Sequence, residues 1–424
     1  MNYFHLTNYI KQNYKIDPQI LDNIKFLLDS HIHHFGNNFK SPIESSRKGF
    51  YHYFRLIIRR LYIVFKIIQN ANVVKDKKRI LSSSYFSVNS EIEKLQYQVF
   101  CPSWSMSGNR NVLSTISFFL YTELLSHHLN KYNFGQIISS EFANEIVLFK
   151  NKLKIFLIEK QIDAIIVPND QTFFANVLIE VCKQVKIPSF IFLHGLPCRY
   201  NDIDENRADY LIVWGNKIKE NYIKAGINSN KILVSGHPYY TFNAPENLKF
   251  SFENILIISK SIFWAQYSDK IRLSDRGNLI LYLFSIEKIL KEFGVRSVRF
   301  RPHPSENFEW YLKFINRDFF KLDYGPIKES ILKSSLIIGP TSTVFLESIY
   351  YGINYLIYEP SVKNIDIMNY ELISPFDGKD QRVPVAKNEI QLAKLLKDKQ
   401  KVDSSFFSDY IQTPFNLDFL NALV

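Results

Sequence analysis

The chain has 424 residues, which is too long for one ordinary core and predicts two domains. Hydrophobic residues make up 46% and aromatic residues 15%, which excludes a wholly disordered chain. The formal net charge of +11 favours anionic partners, namely nucleic acid, a membrane surface or phosphorylated substrates.

The N-terminal residues lack the basic-then-apolar pattern of a signal peptide, and no stretch reaches about 18 uncharged apolar residues. The three cysteines, Cys101, Cys182 and Cys198, lack the spacing of a disulfide framework or a zinc site. These features predict a cytoplasmic protein.

The N-terminal region, about 1–150, is predicted to be helical and holds one unusual segment, YFRLIIRRLYIVFKIIQN (53–70). Arg55, Arg59, Arg60 and Lys66 interrupt an apolar run that spreads around the predicted helix. Two interpretations stay open. The segment is a core helix with outward arginines, or a basic helix that lies on an anionic bilayer such as the inner membrane.

From about residue 150, short apolar runs alternate with helical patterns. The predicted order is strand 163–170, helix 172–186, strands 187–195 and 208–215, helix 216–226 and strand 231–238. After a polar linker, 239–253, come strand 254–260, helix 274–294, strand 297–304, strand 334–340, helix 341–352 and strand 353–360. This alternation predicts an α/β fold with parallel sheets.

We therefore predict two Rossmann-like, doubly wound halves that face each other across a cleft. The N-terminal domain spans 1–245 and the C-terminal domain 250–400, and a helix within 401–424 packs back across them. In such sheets a ligand binds beyond the carboxyl ends of the strands.

A cluster of small hydroxyl residues, Thr341, Ser342 and Thr343, follows Gly339 where a strand passes into a helix. A helix N-terminus favours phosphate, the hydroxyls add donors, and glycine allows close approach of a ligand to the backbone. Ordinary capping of the helix explains the same residues without a ligand. Glu347, one turn further, can accept hydrogen bonds from a ribose or face solvent.

The segment RPHPSE (301–306) holds His303 between Pro302 and Pro304, which stiffen its backbone. As an imidazolium, His303 can donate to a phosphate and stabilise a leaving nucleotide. Arg301 adds a permanent cation that can form paired hydrogen bonds with phosphate. The alternative is a loop histidine in a proline-braced turn.

His194, in HGLP (194–197), follows an apolar strand of the other half and is a candidate general base. Its alternative role is a strand-end histidine bonded to a backbone carbonyl. Four acids are rival bases: Asp170, Asp202, Asp204 and Glu141. The segment GHPYY (236–240) is predicted to be a turn.

No metal-ligating cluster is predicted, because the histidines of HIHH (31–34) lack acidic or cysteine partners in sequence. The absence of GxxxxGK[ST] and GxGxxG argues against an ATPase and a dinucleotide-binding dehydrogenase. We expect neither an obligatory metal nor another cofactor.

Five segments within 163–360, in their order along the chain, resemble glycosyltransferases of the GT-B fold that build bacterial capsule and lipopolysaccharide. They are HGLP, ADYLIVWG, KILVSGHP, RPHP and GPTSTVFLES. The pair His303-Pro304 and the segment Thr341–Thr343 resemble motifs with which bacterial sialyltransferases and Kdo transferases hold the phosphate of a CMP-linked sugar. HGLP also resembles CDP-glycerol glycerophosphotransferases. The acidic pair followed by glycine that is typical of bacterial sialyltransferases is missing.

The resemblance implies an inverting, membrane-associated glycosyltransferase that moves a sugar, of CMP-sialic acid or CMP-Kdo type, to a hydroxyl of a glycan or lipid-linked glycan. The donor-binding residues would be Arg301, Pro304, Gly339, Thr341, Ser342, Thr343 and Glu347, and the catalytic residues His303, His194 and Asp170. Three alternatives remain: a CDP-glycerol-type glycerophosphotransferase, a UDP-sugar 2-epimerase and a non-catalytic polyanion-binding protein. No nucleic-acid partner is expected, because the basic residues are scattered.

Overall fold

The computed structural model describes residues 10, 16–24, 27, 50–70, 77–83, 88–105, 111–129, 132–197, 199–202, 204–259, 276–304, 311–362, 365–366 and 372–423. The histidines of HIHH, Cys198 and residues 305–306 lie outside these ranges.

Two parallel sheets form the frame of the molecule. The N-terminal sheet has seven strands in the order β3-β2-β1-β4-β5-β6-β7, and every neighbouring pair is parallel. Its strands are β1 (Arg79–Ser82), β2 (Gln98–Pro102), β3 (Val112–Leu113), β4 (Ala164–Val167), β5 (Ser189–Phe192), β6 (Tyr210–Val213) and β7 (Ile232–Val234).

The C-terminal sheet has six parallel strands in the order β10-β9-β8-β11-β12-β15. Its strands are β8 (Ile255–Ile258), β9 (Val298–Arg301), β10 (Phe320–Leu322), β11 (Leu336–Gly339), β12 (Tyr355–Tyr358) and β15 (Val385–Ala386). A two-residue antiparallel hairpin, β13 (Ser361–Val362) with β14 (Ile365–Asp366), follows β12.

The helices connect these strands. They are α1 (Phe50–Gln69), α2 (Val88–Lys94), α3 (Ile116–Leu129), α4 (Phe134–Ile137), α5 (Ser140–Glu159), α6 (Phe173–Gln184), α7 (Asn216–Lys224), α8 (Arg276–Glu292), α9 (Ile327–Leu332), α10 (Val344–Tyr350), α11 (Glu389–Lys397) and α12 (Phe407–Tyr410). With two sheets of parallel strands joined by helices, the predicted α/β class and GT-B arrangement are confirmed.

The central strands form where the sequence is continuously apolar. All four residues of β4, β5, β11 and β12 are buried, as expected for strands covered by helices on both faces. One buried cluster contains residues of both halves, including Ile191 and Trp214 from the first and Phe345 and Tyr355 from the second. The halves therefore share a core around their junction.

The prediction of a helical region over about 1–150 is wrong in part, because β1, β2 and β3 lie within it. These strands are short, and β1 and β2 include polar residues or proline, as in RILS and QVFCP. Such segments lack the long apolar run that identifies a buried strand in sequence.

The C-terminal segment packs back on the N-terminal sheet, although not as the single helix predicted. A 3-10 turn (Ser404–Phe406) and α12 are followed by extended chain and a second 3-10 segment (Asp418–Leu423). The N–H of Gln412 donates to the carbonyl of Trp214 at 2.7 Å, and that of Asn416 to Ser235 at 2.9 Å.

Gly215 is the point of closest packing against this segment. A Cβ added there would overlap the backbone carbonyl of Tyr410 and lie 2.7 Å from that of Asp409. We expect Gly215→Ala to destabilise the protein by about 2 kcal/mol, because backbone atoms cannot move aside as a side chain can. The measurement is the free energy of unfolding in denaturant.

Gly135→Ala is the matched control, because the nearest atom to its added Cβ is a side-chain oxygen of Asn133 at 3.5 Å. We expect that variant to stay within about 0.5 kcal/mol of the parent protein. Equal losses in both variants would show that the C-terminal segment does not pack on Gly215.

Candidate functional site

The two halves meet at a contact between two segments that the sequence analysis identified separately. The N–H of Leu196, in the loop after β5, donates to Oγ1 of Thr343, in the loop after β11, at 3.3 Å. A Cβ on the neighbouring Gly195 would also lie 3.3 Å from this oxygen. The HGLP loop and the hydroxyl cluster are therefore parts of one site at the carboxyl ends of both sheets.

His194 lies beside this contact and is exposed to solvent. Its Nδ1 is 3.3 Å from the carbonyl oxygen of Pro168, which follows β4. Because a carbonyl can only accept, Nδ1 carries the hydrogen, and Nε2 of the neutral ring keeps its lone pair. The bond to the backbone thus orients the ring and leaves Nε2 able to take a proton.

Two hydroxyl groups of the cluster accept hydrogen bonds from backbone N–H groups. Oγ of Ser342 accepts from the N–H of Val344 at 3.3 Å, and Oγ1 of Thr343 accepts from Leu196. A hydroxyl that accepts in this way still has its own hydrogen to donate. Ser342 and Thr343 can therefore both donate to an anionic group at the junction.

Thr341 has a different role from the donor-binding one predicted for it. Its N–H and its hydroxyl both donate to Oε1 of Glu359, at 2.7 and 2.8 Å, and Glu359 is buried. Thr341 therefore anchors the loop instead of presenting its hydroxyl to a ligand. The sequence analysis missed Glu359, although its position directly after the buried strand YLIY (355–358) was a usable signal.

Packing explains Gly339 better than the predicted approach of a ligand to its backbone. A Cβ at this position would overlap the side chain of Ile258 and the hydroxyl of Tyr355. That hydroxyl donates to the carbonyl of Pro340 at 2.5 Å. The glycine thus lets Tyr355 lie under the loop and fix its path.

His303 lies at the same edge of the C-terminal sheet. Its N–H donates to Oγ of Ser259 at 3.1 Å, so the loops after β8 and β9 are joined. Since β9 and β11 both flank β8, their ends are roughly 10 Å apart. A phosphate between the loops is within reach of side chains from both.

Burial lowers the pKa of the half-buried His303 below its ordinary value, which favours the neutral ring over the imidazolium considered in the sequence analysis. A neutral ring can still donate one hydrogen bond. Pro304, on the same loop, is exposed.

Arg301 does not face the junction, which corrects its predicted contact with phosphate. Its guanidinium bonds to Asp323 at 3.1 Å, to Ser330 at 3.0 Å and to the carbonyl of Gly325 at 2.7 Å. Arg299, two residues earlier on the same face of β9, bonds to Asp323 as well. The two arginines neutralise one buried carboxylate at the edge of the sheet.

Asp170 is also corrected, because its side chain is fully buried and its oxygens are occupied. They accept from the N–H groups of Glu205 at 2.9 Å and Arg207 at 3.0 Å, and the guanidinium of Arg207 lies 3.5 Å away. An acid enclosed in this way cannot reach a substrate hydroxyl. Asp170 instead holds the loop between β5 and β6.

Among the remaining rival bases, Asp204 pairs with Arg199 and accepts from Asn201, while Glu141 lies in the first turn of α5. Asp202 is exposed in the same loop as Asp204.

Glu205 in this loop gives the molecule a pH-dependent stability. Burial raises its pKa to about 7, and the nearby carboxylates of Asp170 and Asp204 act in the same direction, whereas the bond from Tyr222 and the charge of Arg199 oppose it. Because the folded pKa exceeds the usual 4.5, the stabilising contribution is complete below pH 4.5 and is lost as pH rises through about 7. We expect the free energy of unfolding of Glu205→Gln to decline less over this pH range than that of the parent protein. The difference amounts to as much as ~3 kcal/mol. Urea unfolding of both proteins from pH 5 to 8 measures these free energies.

Glu220→Gln provides the comparison, because Glu220 forms an exposed pair with Lys217. This variant should keep the pH dependence of the parent protein. If Glu205→Gln and Glu220→Gln have the same slope of stability against pH, Glu205 is not the group responsible.

Glu347 lies one helical turn from the junction, and its N–H donates to the carbonyl of Thr343 at 3.3 Å. Burial raises the pKa of Glu347. It is close enough to Tyr239 and Tyr240, which begin the linker between the halves, to affect both phenols. Glu347 therefore faces the region between the halves rather than open solvent.

The prediction of a turn at 236–240 is confirmed. The N–H of Tyr240 donates to the carbonyl of His237 at 3.0 Å, and Gly236 has a φ of +78°. His237 packs against Trp214 with ring centroids 4.7 Å apart, and burial lowers its pKa to about 4. It is a neutral, partly buried residue that packs against the core. Within the described ranges, no group of three or more potential metal ligands occurs.

Comparison with known proteins gave structural similarity only. No protein-family model and no curated protein matches the chain. A UDP-GlcNAc 2-epimerase from Neisseria meningitidis bound to UDP-GlcNAc is 14% identical, with 80% of this chain and 96% of that chain covered and a TM-score of 0.46. Staphylococcus aureus MnaA with UDP is 13% identical, with 81% and 94% covered and a TM-score of 0.46.

MurG from Acinetobacter baumannii is 10% identical, with 82% of this chain and 99% of that chain covered and a TM-score of 0.46. With TM-scores below 0.5, the fold assignment rests on the two sheets themselves.

Proposed function

We propose that this chain is an enzyme that acts on a nucleotide-linked sugar bound at the junction of its two halves. The observation that carries the proposal is the bond from Leu196 to Thr343. It brings together an exposed imidazole, His194, and two hydroxyl groups that can donate to an anion. The imidazole comes from the N-terminal half and the hydroxyl groups come from the C-terminal half. A ligand with two chemically distinct ends requires such different groups on its two sides.

In this proposal the C-terminal half binds the nucleoside phosphate. The hydroxyls of Ser342 and Thr343 donate to phosphate oxygens, and the neutral ring of His303 supplies one more donor from the neighbouring loop. Glu347, one turn further along α10, accepts hydrogen bonds from the ribose. Orienting the sugar between the halves would supply much of the rate enhancement.

The first candidate reaction is inverting glycosyl transfer. His194 is exposed, so a large acceptor such as a glycan or lipid-linked glycan can reach its Nε2. Nε2 would remove the proton of the acceptor hydroxyl as the hydroxyl oxygen bonds to the anomeric carbon of the sugar, and the nucleotide would leave that carbon with the electron pair of the broken bond. The resemblance of HP and Thr-Ser-Thr to the phosphate motifs of sialyltransferases and Kdo transferases favours a CMP-linked donor.

The second candidate is epimerisation of the sugar while it remains linked to the nucleotide, which needs no acceptor. Removal and return of a proton at carbon requires a base and an acid. His194 from one half and Glu347 from the other would supply them, with Glu347 then contacting the sugar instead of the ribose. Burial raises the pKa of Glu347, which favours its protonated form.

Thermal unfolding with a panel of nucleotides tests the proposal, because a ligand that binds the native state raises the melting temperature. The panel contains UDP-N-acetylglucosamine, CMP-sialic acid, CMP-Kdo and CDP-glycerol. We expect at least one of the nucleotide sugars to raise the melting temperature in proportion to the logarithm of its concentration. Failure of all four to bind would contradict the proposal, and binding of CDP-glycerol alone would indicate a glycerophosphotransferase.

A second experiment separates the two reactions. The stabilising nucleotide sugar is incubated with the protein in D₂O without acceptor. Epimerisation gives deuterium at a ring carbon with the nucleotide still attached, because the returning proton comes from solvent. Transfer gives no deuterium, and nucleotide release instead depends on added acceptor.

A further inference from the structure

Helix α1 (Phe50–Gln69) has two apolar faces, of which the described part of the chain covers only one. Ile63 and Ile67 are buried in a small cluster with Val112 of β3 and Phe119 of α3. A second row of large apolar side chains is 48–64% exposed, comprising Phe54, Ile57, Ile58, Leu61, Phe65 and Ile68.

The spacing places this second row on one side of the helix. At about 100° per residue, the six side chains fall within a stripe roughly 100° wide, opposite the buried face. At this spacing Arg59 and Lys66 lie between the stripe and the buried face on one side of the helix, and Arg60 lies between the two on the other side. From Phe54 to Ile68 the stripe is ~20 Å long, at about 1.5 Å of rise per residue.

The neighbouring helix α3 extends the apolar surface. Ile116, Leu120 and Leu124 are spaced by four residues and are 44–56% exposed. Arg60 bonds to Glu123 at 2.9 Å, so the two helices lie side by side at this point. Exposed apolar patches of this extent mark an interaction surface.

The charges decide between a bilayer and a second copy of the chain. Helix α1 contains Arg55, Arg59, Arg60 and Lys66 but no aspartate or glutamate. Two such helices placed face to face would bring like charges together. On an anionic bilayer, by contrast, the apolar stripe would lie between the lipid headgroups, and the flanking cations would pair with the phosphate groups of the lipids.

We propose that α1 lies in the plane of an anionic membrane surface and attaches the N-terminal half to it, with α3 beside it. No described helix is long and apolar enough to cross a membrane. The proposal does not depend on the nucleotide site, because α1 carries none of its residues.

Flotation of the full-length chain with vesicles tests this attachment. We expect strong binding to vesicles of 30% phosphatidylglycerol and 70% phosphatidylcholine, and at least ~10-fold weaker binding to pure phosphatidylcholine, since each cation near the surface adds to the attraction. Raising salt from 0.05 to 0.5 M should weaken binding to the anionic vesicles, because salt screens these charges.

The double variant Leu61→Glu with Phe65→Glu should bind anionic vesicles at least ~10-fold more weakly than the parent protein. Both side chains are exposed, so the fold should be retained, and circular dichroism checks this. Ile390→Glu, at an 82% exposed position on α11, is the control that should bind like the parent.

Equal binding of the double variant and the parent would overturn the proposal, as would equal binding to anionic and zwitterionic vesicles. If the double variant converts a dimer to a monomer in sedimentation equilibrium without a change in vesicle binding, the stripe is an interface between copies and the proposal is wrong.

Discussion

Replacing His194 with asparagine is expected to reduce turnover of the nucleotide sugar by about a thousandfold, within the range that a general base contributes. The amide of asparagine can take over the bond that Nδ1 donates to the carbonyl of Pro168. The asparagine side chain has no basic nitrogen at the position of Nε2. The variant therefore removes the base and preserves the path of the HGLP loop.

The readout separates chemistry from binding. We expect kcat to fall while the nucleotide affinity, measured by calorimetry, changes less than about twofold, because His194 acts on the acceptor or sugar rather than on the phosphate. His127→Gln, on the exposed side of α3, should retain full activity. A His194→Asn enzyme that retains its kcat would exclude this residue as the base and leave the exposed Asp202 as the predicted candidate to test.

The fold was predictable where burial on both faces forces a continuous apolar run. Strands β4, β5, β11 and β12 were all recognised on that basis. The strands β1 to β3 were missed because they are short, and β3 has only two residues. The pairing of β1 with β4 is a long-range property that no local pattern encodes.

The position of the site was more predictable than the direction of its side chains. Sequence order placed His194 and Thr343 at strand ends, and the structure joins their loops. Arg301 and Asp170 occupy the same kind of position, yet each bonds inward to groups supplied by another segment. A motif shows which residue follows a strand, but only the neighbouring strand or loop determines what that side chain contacts.

Helix α1 illustrates a different limit of sequence analysis. Its apolar residues spread around the helix, so the pattern was compatible with both a core helix and a membrane-surface helix. The structure separates these residues into a buried face with Ile63 and Ile67 and an exposed face with Leu61 and Phe65. The sequence alone could not divide the two faces, because the contact with Val112 depends on the unpredicted strand β3.

Thr343 is the residue whose substitution should most weaken ligand binding. Thr343→Val keeps the shape of the side chain but removes the oxygen that accepts from Leu196 and the hydrogen that can be donated to phosphate. Leaving the partly buried N–H unpaired costs about 1–3 kcal/mol, which also loosens the junction. We expect the dissociation constant for the nucleotide sugar to rise at least ~10-fold.

Thr343→Ser is the matched control, because serine restores the hydroxyl without the methyl group. It should recover most of the affinity, since both hydrogen bonds are available again. Calorimetry measures both constants, and the shift in melting temperature with ligand gives an independent check. If the Thr343→Val variant binds the nucleotide sugar as tightly as the Thr343→Ser variant does, the hydroxyl of Thr343 makes no contact with the ligand. The phosphate would then have to be held by Ser342 and His303 without help from the junction between the halves.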